Sequence, residues 1–249
     1  MTKAPLTIII PCHRDDERMC QAIQSATFAQ EIIVIDQQSG VDWKKMKTST
    51  ALRVLPHPQL KSFSQMKNEA MRMVTTPWII FLDSDEYISK QLTTEIEAHL
   101  NDADVVGMRL RRLDFFLNKP LFHGETRGAT FLRIVKKGEA QWHGSAHEQL
   151  VLTSTAANVI TLNHFLGHHP HTSITQFIQK IDQYTSLLAS EHDERFLLLK
   201  MVCFPVCKFI YTFVIRFGFL DGYRGFVYSF LMAIHSNMVR IKRYELHRR

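Results

Sequence analysis

Asp83, Asp85 and Glu86 follow directly on the apolar run Trp78-Ile79-Ile80-Phe81-Leu82, so three carboxylates arrive at the end of a segment that reads as a buried strand. Acidic residues just past a strand's carboxyl end lie where open α/β sheets bind their ligands. Asp83 and Asp85, spaced i, i+2, can face one divalent cation directly or through water. Mg²⁺ is usually held by one or two carboxylates plus substrate phosphate oxygens. The pattern therefore points to a metal–diphosphate site. Taken alone it equally fits a solvated acidic turn, so the rest of the chain has to decide.

The elements upstream are those that would position such a site. Leu6 to Ile10 reads as a buried strand, and Met19, Ala22, Ile23 and Ala26 form an apolar helical stripe. Glu31 to Asp36 is a second strand that again ends in a carboxylate, and Leu52 to Leu55 a short third. Phe63 to Val74 reads as a helix whose apolar side is Met66, Ala70, Met73 and Val74. Gln91 to Leu100 is a further helix, and Val105 to Arg111 and Thr130 to Lys136 alternate like strands. This order predicts an α/β fold with a mostly parallel sheet covered on both faces.

Apolar residues make up 45% and charged residues 22% of the 249, the balance of a globular chain with a real core. The expected division is a catalytic domain over 1–170 and a helical region over 171–249. Leu6 to Ile10 is too short for a signal-peptide core and is stopped by Pro11. Cys12, Cys20, Cys203 and Cys207 form no metal pattern, and the i, i+4 pair Cys203 and Cys207 reads as packing in a helix. Nothing demands disulfides, in keeping with a reducing cytosol.

After about Pro170 the character changes. Ile174 to Ala189 looks helical, and Phe196 to Leu220 is rich in phenylalanine. Lys200, Lys208 and Arg216 interrupt that stretch and Pro205 should break or kink it, so a helix lying in a membrane interface fits better than a clean span. Gly218 to Gly225 reads as a turn and Phe226 to Tyr244 as a second amphipathic helix. The formal charge of +6 is concentrated at the end, where Arg240, Lys242, Arg243, Arg248 and Arg249 face only Glu245. The aromatics lie in long apolar runs and are not interleaved with basic residues, which favours an anionic membrane surface and no nucleic acid. A buried helical pair is the competing reading.

Thr7 to Glu17, Glu31 to Gly40, Phe63 to Ala70 and the Asp83-Ser84-Asp85-Glu86 run occur in one order along the chain. They are followed by His147-Glu148 and by Gly218-Phe219-Leu220-Asp221-Gly222. Together they resemble the family 2 glycosyltransferases of GT-A fold, most closely the bacterial branch that builds lipopolysaccharide core and other envelope glycans. The chain departs from that family's usual pattern at Arg14-Asp15-Asp16-Glu17, where Asn-Glu is common. It departs again after Asp36, where Gln37-Gln38-Ser39-Gly40-Val41-Asp42 displaces the second acid.

The resemblance implies roles. Pro11, Arg14 and Glu17 fall in the loop that meets the donor. Asp36 corresponds to the acid that receives the nucleoside, and Lys67 and Asn68 to residues near the nucleotide. Asp83 and Asp85 correspond to the Asp-x-Asp pair, with Asp85 the more direct ligand of a Mg or Mn ion and Asp83 on the ribose or a metal-bound water. Arg133 would support the acceptor or the diphosphate. Inverting transfer needs a base for the acceptor hydroxyl; Glu148 is the candidate, with His147 orienting it or binding metal. His164, His168, His169 and His171 suggest a metal site by composition, but nothing completes the ligand set, and one of them is left to meet the leaving phosphate.

The resulting expectation is an inverting, metal-dependent enzyme of hexosyltransferase type. It would move a sugar from a nucleotide-sugar donor to a lipid-linked glycan acceptor at the cytoplasmic face of a bacterial inner membrane, held there as a peripheral or monotopic protein. Two alternatives stay open: a transferase acting on polyprenyl phosphate, and a non-catalytic peripheral membrane or nucleic-acid binding protein with a degenerate sugar-nucleotide domain. A homo-oligomer is the other use open to the C-terminal helices.

Overall fold

The computed structural model describes residues 3–13, 16–57, 62–144, 148–155, 157–171, 173–189 and 196–248. In chain order the elements are β1 (Ala4–Cys12), α1 (Glu17–Ser25), β2 (Ala29–Asp36), β3 (Ala51–Pro56), α2 (Phe63–Met73), β4 (Trp78–Phe81), β5 (Glu86–Ile88), α3 (Lys90–His99) and β6 (Val105–Phe116). They continue with β7 (Lys119–Pro120), β8 (Thr130–Lys136), β9 (Ala140–His143), β10 (Gln149–Leu152), β11 (Asn158–His168), α4 (Ile174–Ala189), α5 (Leu197–Ile210) and α6 (Gly222–Arg248). The chain divides into two compact units, one formed by Met1–Arg112 with Ala129–His168, the other by Leu113–Gly128 with His169–Arg249.

The first unit is built on a sheet of order β3-β2-β1-β4-β8-β6-β11-β5. Its β3-β2-β1-β4 half is parallel, with Ile9 of β1 level with Ile33 of β2 and Phe81 of β4. Beyond β4 the strands β8 and β6 run antiparallel, as does β5 against β11. Strands buried on both faces read as continuous apolar runs, and β1 shows this residue by residue. Leu6, Ile8 and Ile10 pack with Met19, Ala22 and Ile23 of α1 and with Leu92 and Ile96 of α3. Ile9 turns to the opposite face, with Met66 and Ala70 of α2 and Trp142 of β9. Each such fully buried isoleucine contributes ~1.5–3 kcal/mol relative to exposure.

A hairpin of β9 and β10 lies against α2, paired from Ala140–Leu152 to His143–Gln149. The α2 residues that meet it are Ser64, Lys67 and Asn68, spaced i, i+3, i+4 and so on one helical face. Ser64 Oγ donates to the Gly144 carbonyl at 2.6 Å. Asn68 donates to the Trp142 carbonyl and accepts from the Trp142 N–H, both at 2.9 Å. A sequence-remote hairpin is thereby docked on one helix by polar side chains.

In the second unit, Leu117 and Asn118 both take left-handed backbone angles and close the tight turn between β6 and β7. Phe116, Leu121, Phe177, Ile181 and Leu231 form its core. Asp221 receives the backbone N–H of His123 at 2.9 Å and the His123 ring nitrogen at 3.1 Å. Lys208 pairs with Glu125 at 2.7 Å, so the 121–127 segment is tied to the C-terminal helices from two sides. A Cβ on Gly225 would lie 1.8 Å from the Gly218 carbonyl oxygen, so only glycine lets that turn seat on α6.

Three expectations for this region are corrected. Pro205 does not break α5; the helix runs through it from Leu197 to Ile210 and continues as a π-type turn over Tyr211–Ile215. The whole stretch Leu197–Ile215 has mean hydropathy 1.8, is 6% buried, and is long and apolar enough to cross a membrane, with Arg216 just beyond its end. Cys203 and Cys207 are exposed on α5 and not packed in a core, and none of the four cysteines is in a disulfide.

Part of the basic tail is engaged inside the unit. Lys242 pairs with Asp182 at 2.6 Å, and buried Arg243 donates to the Leu188 carbonyl at 2.9 Å. Arg243 thereby satisfies carbonyls at the C-terminal end of α4, where the helix dipole favours positive charge. Arg240 lies 4.1 Å over the Phe204 ring. α6 also starts at Gly222, earlier than the turn signal implied.

Candidate active site

The parallel strands β1, β2 and β4 end side by side, and each delivers polar residues at its carboxyl end. β4 stops at Phe81; Leu82 is still buried, and Asp83 is the first side chain past it with substantial exposure. The chain then turns: the Glu86 N–H donates to the Asp83 carbonyl at 2.9 Å, and the Asp83 N–H donates back to Glu86 Oε2 at 3.0 Å. The turn holds Asp83 and Asp85 outward and buries Glu86 at the head of β5.

Arg133 of β8 crosses this turn from below. Its guanidinium lies 2.8 Å from Asp83 Oδ2 and 3.4 Å from Glu86 Oε1. Burial raises the Asp83 pKa, but Arg133 and Lys67 more than offset it and hold the carboxyl below its usual range. At Glu86 burial wins over the pull of Arg133, and its pKa is pushed up. Burial disfavours the Arg133 charge, yet Asp83 and Glu86 secure it and the guanidinium stays protonated.

A cavity of about 640 Å³ opens beside this cluster and joins residues of α2, the acidic turn, β6, β8 and the β9–β10 hairpin. Lys67 of α2, Asp83, Arg133 and Glu148 all line it. Lys67 is almost fully buried, 3.1 Å from Glu148 Oε2 and 4.0 Å over the Trp142 ring. Glu148 stands in the connection between β9 and β10, the hairpin docked on α2, which explains how a residue 81 positions away in sequence meets Lys67.

The other expected residues lie outside that lining. Pro11 is paired with Ile35 near the end of β1, half-buried, and Glu17 is exposed in the first turn of α1, where Asp16 serves as the cap. Asp36 has both oxygens engaged by its own loop, by the Ser39 N–H and hydroxyl at 2.9 and 2.6 Å and by the Trp43 indole at 3.0 Å. Burial raises its pKa, but these bonds outweigh that and the net shift is downward. Asn68 commits its amide to the Trp142 backbone. Arg14 and His147 lie outside the described residues.

Asp85 is 3.6 Å from His168 Nε2, at the end of β11 where His168 is level with Glu86. The histidine group disperses: His164 pairs with Glu95 at 2.7 Å, while His169 and His171 stack on Phe115 and Phe177 in the second unit. Arg109 of β6 and Trp142 line the cavity and were not anticipated as site residues. Trp142 carried a detectable signal, a lone indole just before the His147-Glu148 pair, whereas Arg109 is one of three arginines on its strand with nothing to single it out.

Among the described residues no group of three or more His, Cys, Asp or Glu side chains gathers as a metal cage. A Mg²⁺ or Mn²⁺ ion held in part by substrate phosphates needs only one or two carboxylates. Asp83 and Asp85, both half-buried just past the end of β4, are the carboxylates that fit that need.

The comparisons with known proteins fit this architecture. The mannosyltransferase PcManGT from Pyrobaculum calidifontis, solved in complex with GDP-Man and Mn2+, aligns with a TM-score of 0.51 at 11% identity, over 98% of this chain and 88% of that one. S. aureus TarS aligns with a TM-score of 0.50 at 13% identity, over 98% of this chain and 54% of that one. At such identities the likeness concerns the fold, which is of GT-A type. In sequence, the lipopolysaccharide core biosynthesis glycosyltransferase LpsC of Rhizobium meliloti is 22% identical over 98% of this chain and 94% of its own length. An uncharacterized glycosyltransferase of Rickettsia typhi is 24% identical over 92% of this chain and 82% of its own. The family model described as glycosyl transferase family 2 matches residues 7–156, more than half of the chain, and the protein belongs to that family of glycosyltransferases.

Proposed function

We propose that the protein is an inverting, metal-dependent glycosyltransferase that moves a sugar from a nucleotide-sugar donor to a lipid-linked glycan acceptor of the bacterial envelope. One observation carries the reading: a single cavity brings together Asp83, Arg133, Lys67 and Glu148, which are the parts a diphosphate-leaving displacement needs. The GDP-Man and Mn2+ bound by the structural neighbour, and the lipopolysaccharide role in the name of the Rhizobium relative, support the donor and acceptor classes.

In this reading Glu148 takes the proton of the acceptor hydroxyl as that oxygen attacks the anomeric carbon. The bond from the anomeric carbon to the diphosphate breaks with inversion, and the nucleoside diphosphate leaves with the electron pair. Lys67 and Arg133 place positive charge where the leaving group develops negative charge. Asp83 and Asp85 would hold a divalent cation, which supplies Lewis-acid neutralisation of the diphosphate. His168, beside Asp85, orients that carboxylate.

The apolar ridge of α5, with Leu198, Leu199, Val202 and Val206 each more than half exposed, would seat the chain on the cytoplasmic face of the inner membrane. The test is a donor screen by nucleotide release with Mg²⁺, with Mn²⁺ and with EDTA. Metal-dependent release from one nucleotide-sugar, lost in Asp85→Ala, supports the proposal; release unaffected by EDTA contradicts the metal role.

A further inference from the structure

The charges lining the cavity do not balance. Lys67 is matched by Glu148 at 3.1 Å, and Arg133 by Asp83 at 2.8 Å with Glu86 behind it. Arg109, the third cation of the lining, is exposed on β6 and has no ion-pair partner among the described residues. The cavity thus offers one cation beyond what its own carboxylates satisfy.

The position of Arg109 separates it from the donor diphosphate. The strand order is β4-β8-β6, so β6 lies two strands from the strand that delivers Asp83. At ~4.8 Å per strand that is ~10 Å. Phosphates held beside Asp83 leave the Arg109 end of the cavity to another group. Phe131, half-buried in the lining, presents aromatic surface suited to the C–H faces of a sugar ring.

We propose that the acceptor glycan carries an anionic substituent, a phosphate or a carboxylate, next to the hydroxyl that is glycosylated, and that Arg109 receives it. This rests on the glycosyltransferase reading above and adds to it the charge of the acceptor. Arg109 then sets acceptor specificity and takes no part in donor binding. A charge-assisted hydrogen bond from a guanidinium supports a preference of ~10-fold or more over the neutral sugar.

Full-length protein, first saturated with UDP or GDP and Mg²⁺, would be titrated by calorimetry with mannose, mannose 6-phosphate and glucuronate. The expected result is binding at least ~10-fold tighter for one or both anionic sugars. A gain for both defines a reader of charge; a gain for mannose 6-phosphate alone identifies a phosphate, and for glucuronate alone a carboxylate. Arg109→Gln should abolish the gain, Arg109→Lys should retain part of it, and Arg111→Gln, two residues along and outside the cavity lining, should leave it intact. No preference in the wild type, or a preference that survives Arg109→Gln, overturns the proposal. So does an Arg109→Gln variant that loses nucleotide affinity, since Arg109 would then serve the donor. Failure of the wild type to bind any nucleotide or nucleotide-sugar would instead count against the glycosyltransferase reading.

Discussion

Lys67 Nζ lies 3.1 Å from Glu148 Oε2 and 4.0 Å over the ring of Trp142, and this contact joins helix α2 to the β9–β10 hairpin inside the cavity. It holds the candidate base against a cation that the arriving diphosphate would also attract. Lys67→Met keeps the length of the side chain and removes the charge, leaving Glu148 unpaired with only 15% of its side chain exposed. We expect a stability loss of ~1–3 kcal/mol by thermal or urea unfolding and a larger loss of turnover than of donor affinity. Unchanged stability and turnover would show that the pair is incidental.

Much of the scaffold for this contact is legible in sequence. The strands before Asp36 and Asp83 and the helix carrying Lys67 are local patterns, and the structure places them within a few residues of the sequence expectation. The partners of Lys67, Asn68 and Ser64 are not legible, because they lie 74 to 81 positions away and depend on how the hairpin docks. The same holds for the basic tail: net charge says nothing of partners, and Lys242 finds Asp182 60 positions upstream. Nor does periodicity reveal that residues 113–128 leave the sheet unit for the helical one.

Acid sensitivity follows from Asp36. Its folded-state pKa lies below the reference value of 3.8, because hydrogen bonds from Ser39 and Trp43 outweigh the effect of burial. A depressed carboxyl contributes stability that is fully present above the unfolded value and is lost as pH falls through the folded one. Asp16, Asp83 and Glu95 are depressed too, whereas Glu86 is raised, so folding favours its protonated form and its contribution fades as pH rises. Four groups oppose one, so Tm should fall below pH ~4. Asp36→Asn should flatten that fall in melts recorded at successive pH values; a Tm that rises on acidification would contradict the assignment.

Gly167 of β11 packs against the ring of Tyr87 in β5, where an added Cβ would lie 2.1 Å from a ring carbon. Gly167→Ala must displace the ring and with it the strand that begins at Glu86. We expect a destabilisation of ~1–3 kcal/mol. Activity should fall further than Tm alone explains, because the acidic turn moves with Tyr87. Wild-type Tm and activity would mean that β5 yields without disturbing the turn.

The face of α5 should govern membrane binding. Val202→Glu together with Val206→Glu places charge on residues 71% and 57% exposed, so the fold should persist while flotation with liposomes is lost. Because Lys242 and Arg243 are engaged within the unit, binding of the wild type should depend only weakly on salt. Flotation retained by the double variant, or released by moderate salt, would place the attachment elsewhere.

In the proposed reaction Glu148 removes the proton of the attacking hydroxyl. Glu148→Gln preserves the shape of the side chain and its place beside Lys67 while abolishing its capacity as a base. The decisive measurement is single-turnover sugar transfer by this variant, alongside donor affinity by calorimetry. Donor affinity should stay close to wild type while transfer slows ~10²-fold or more. Transfer at the wild-type rate would mean that Glu148 is not the base.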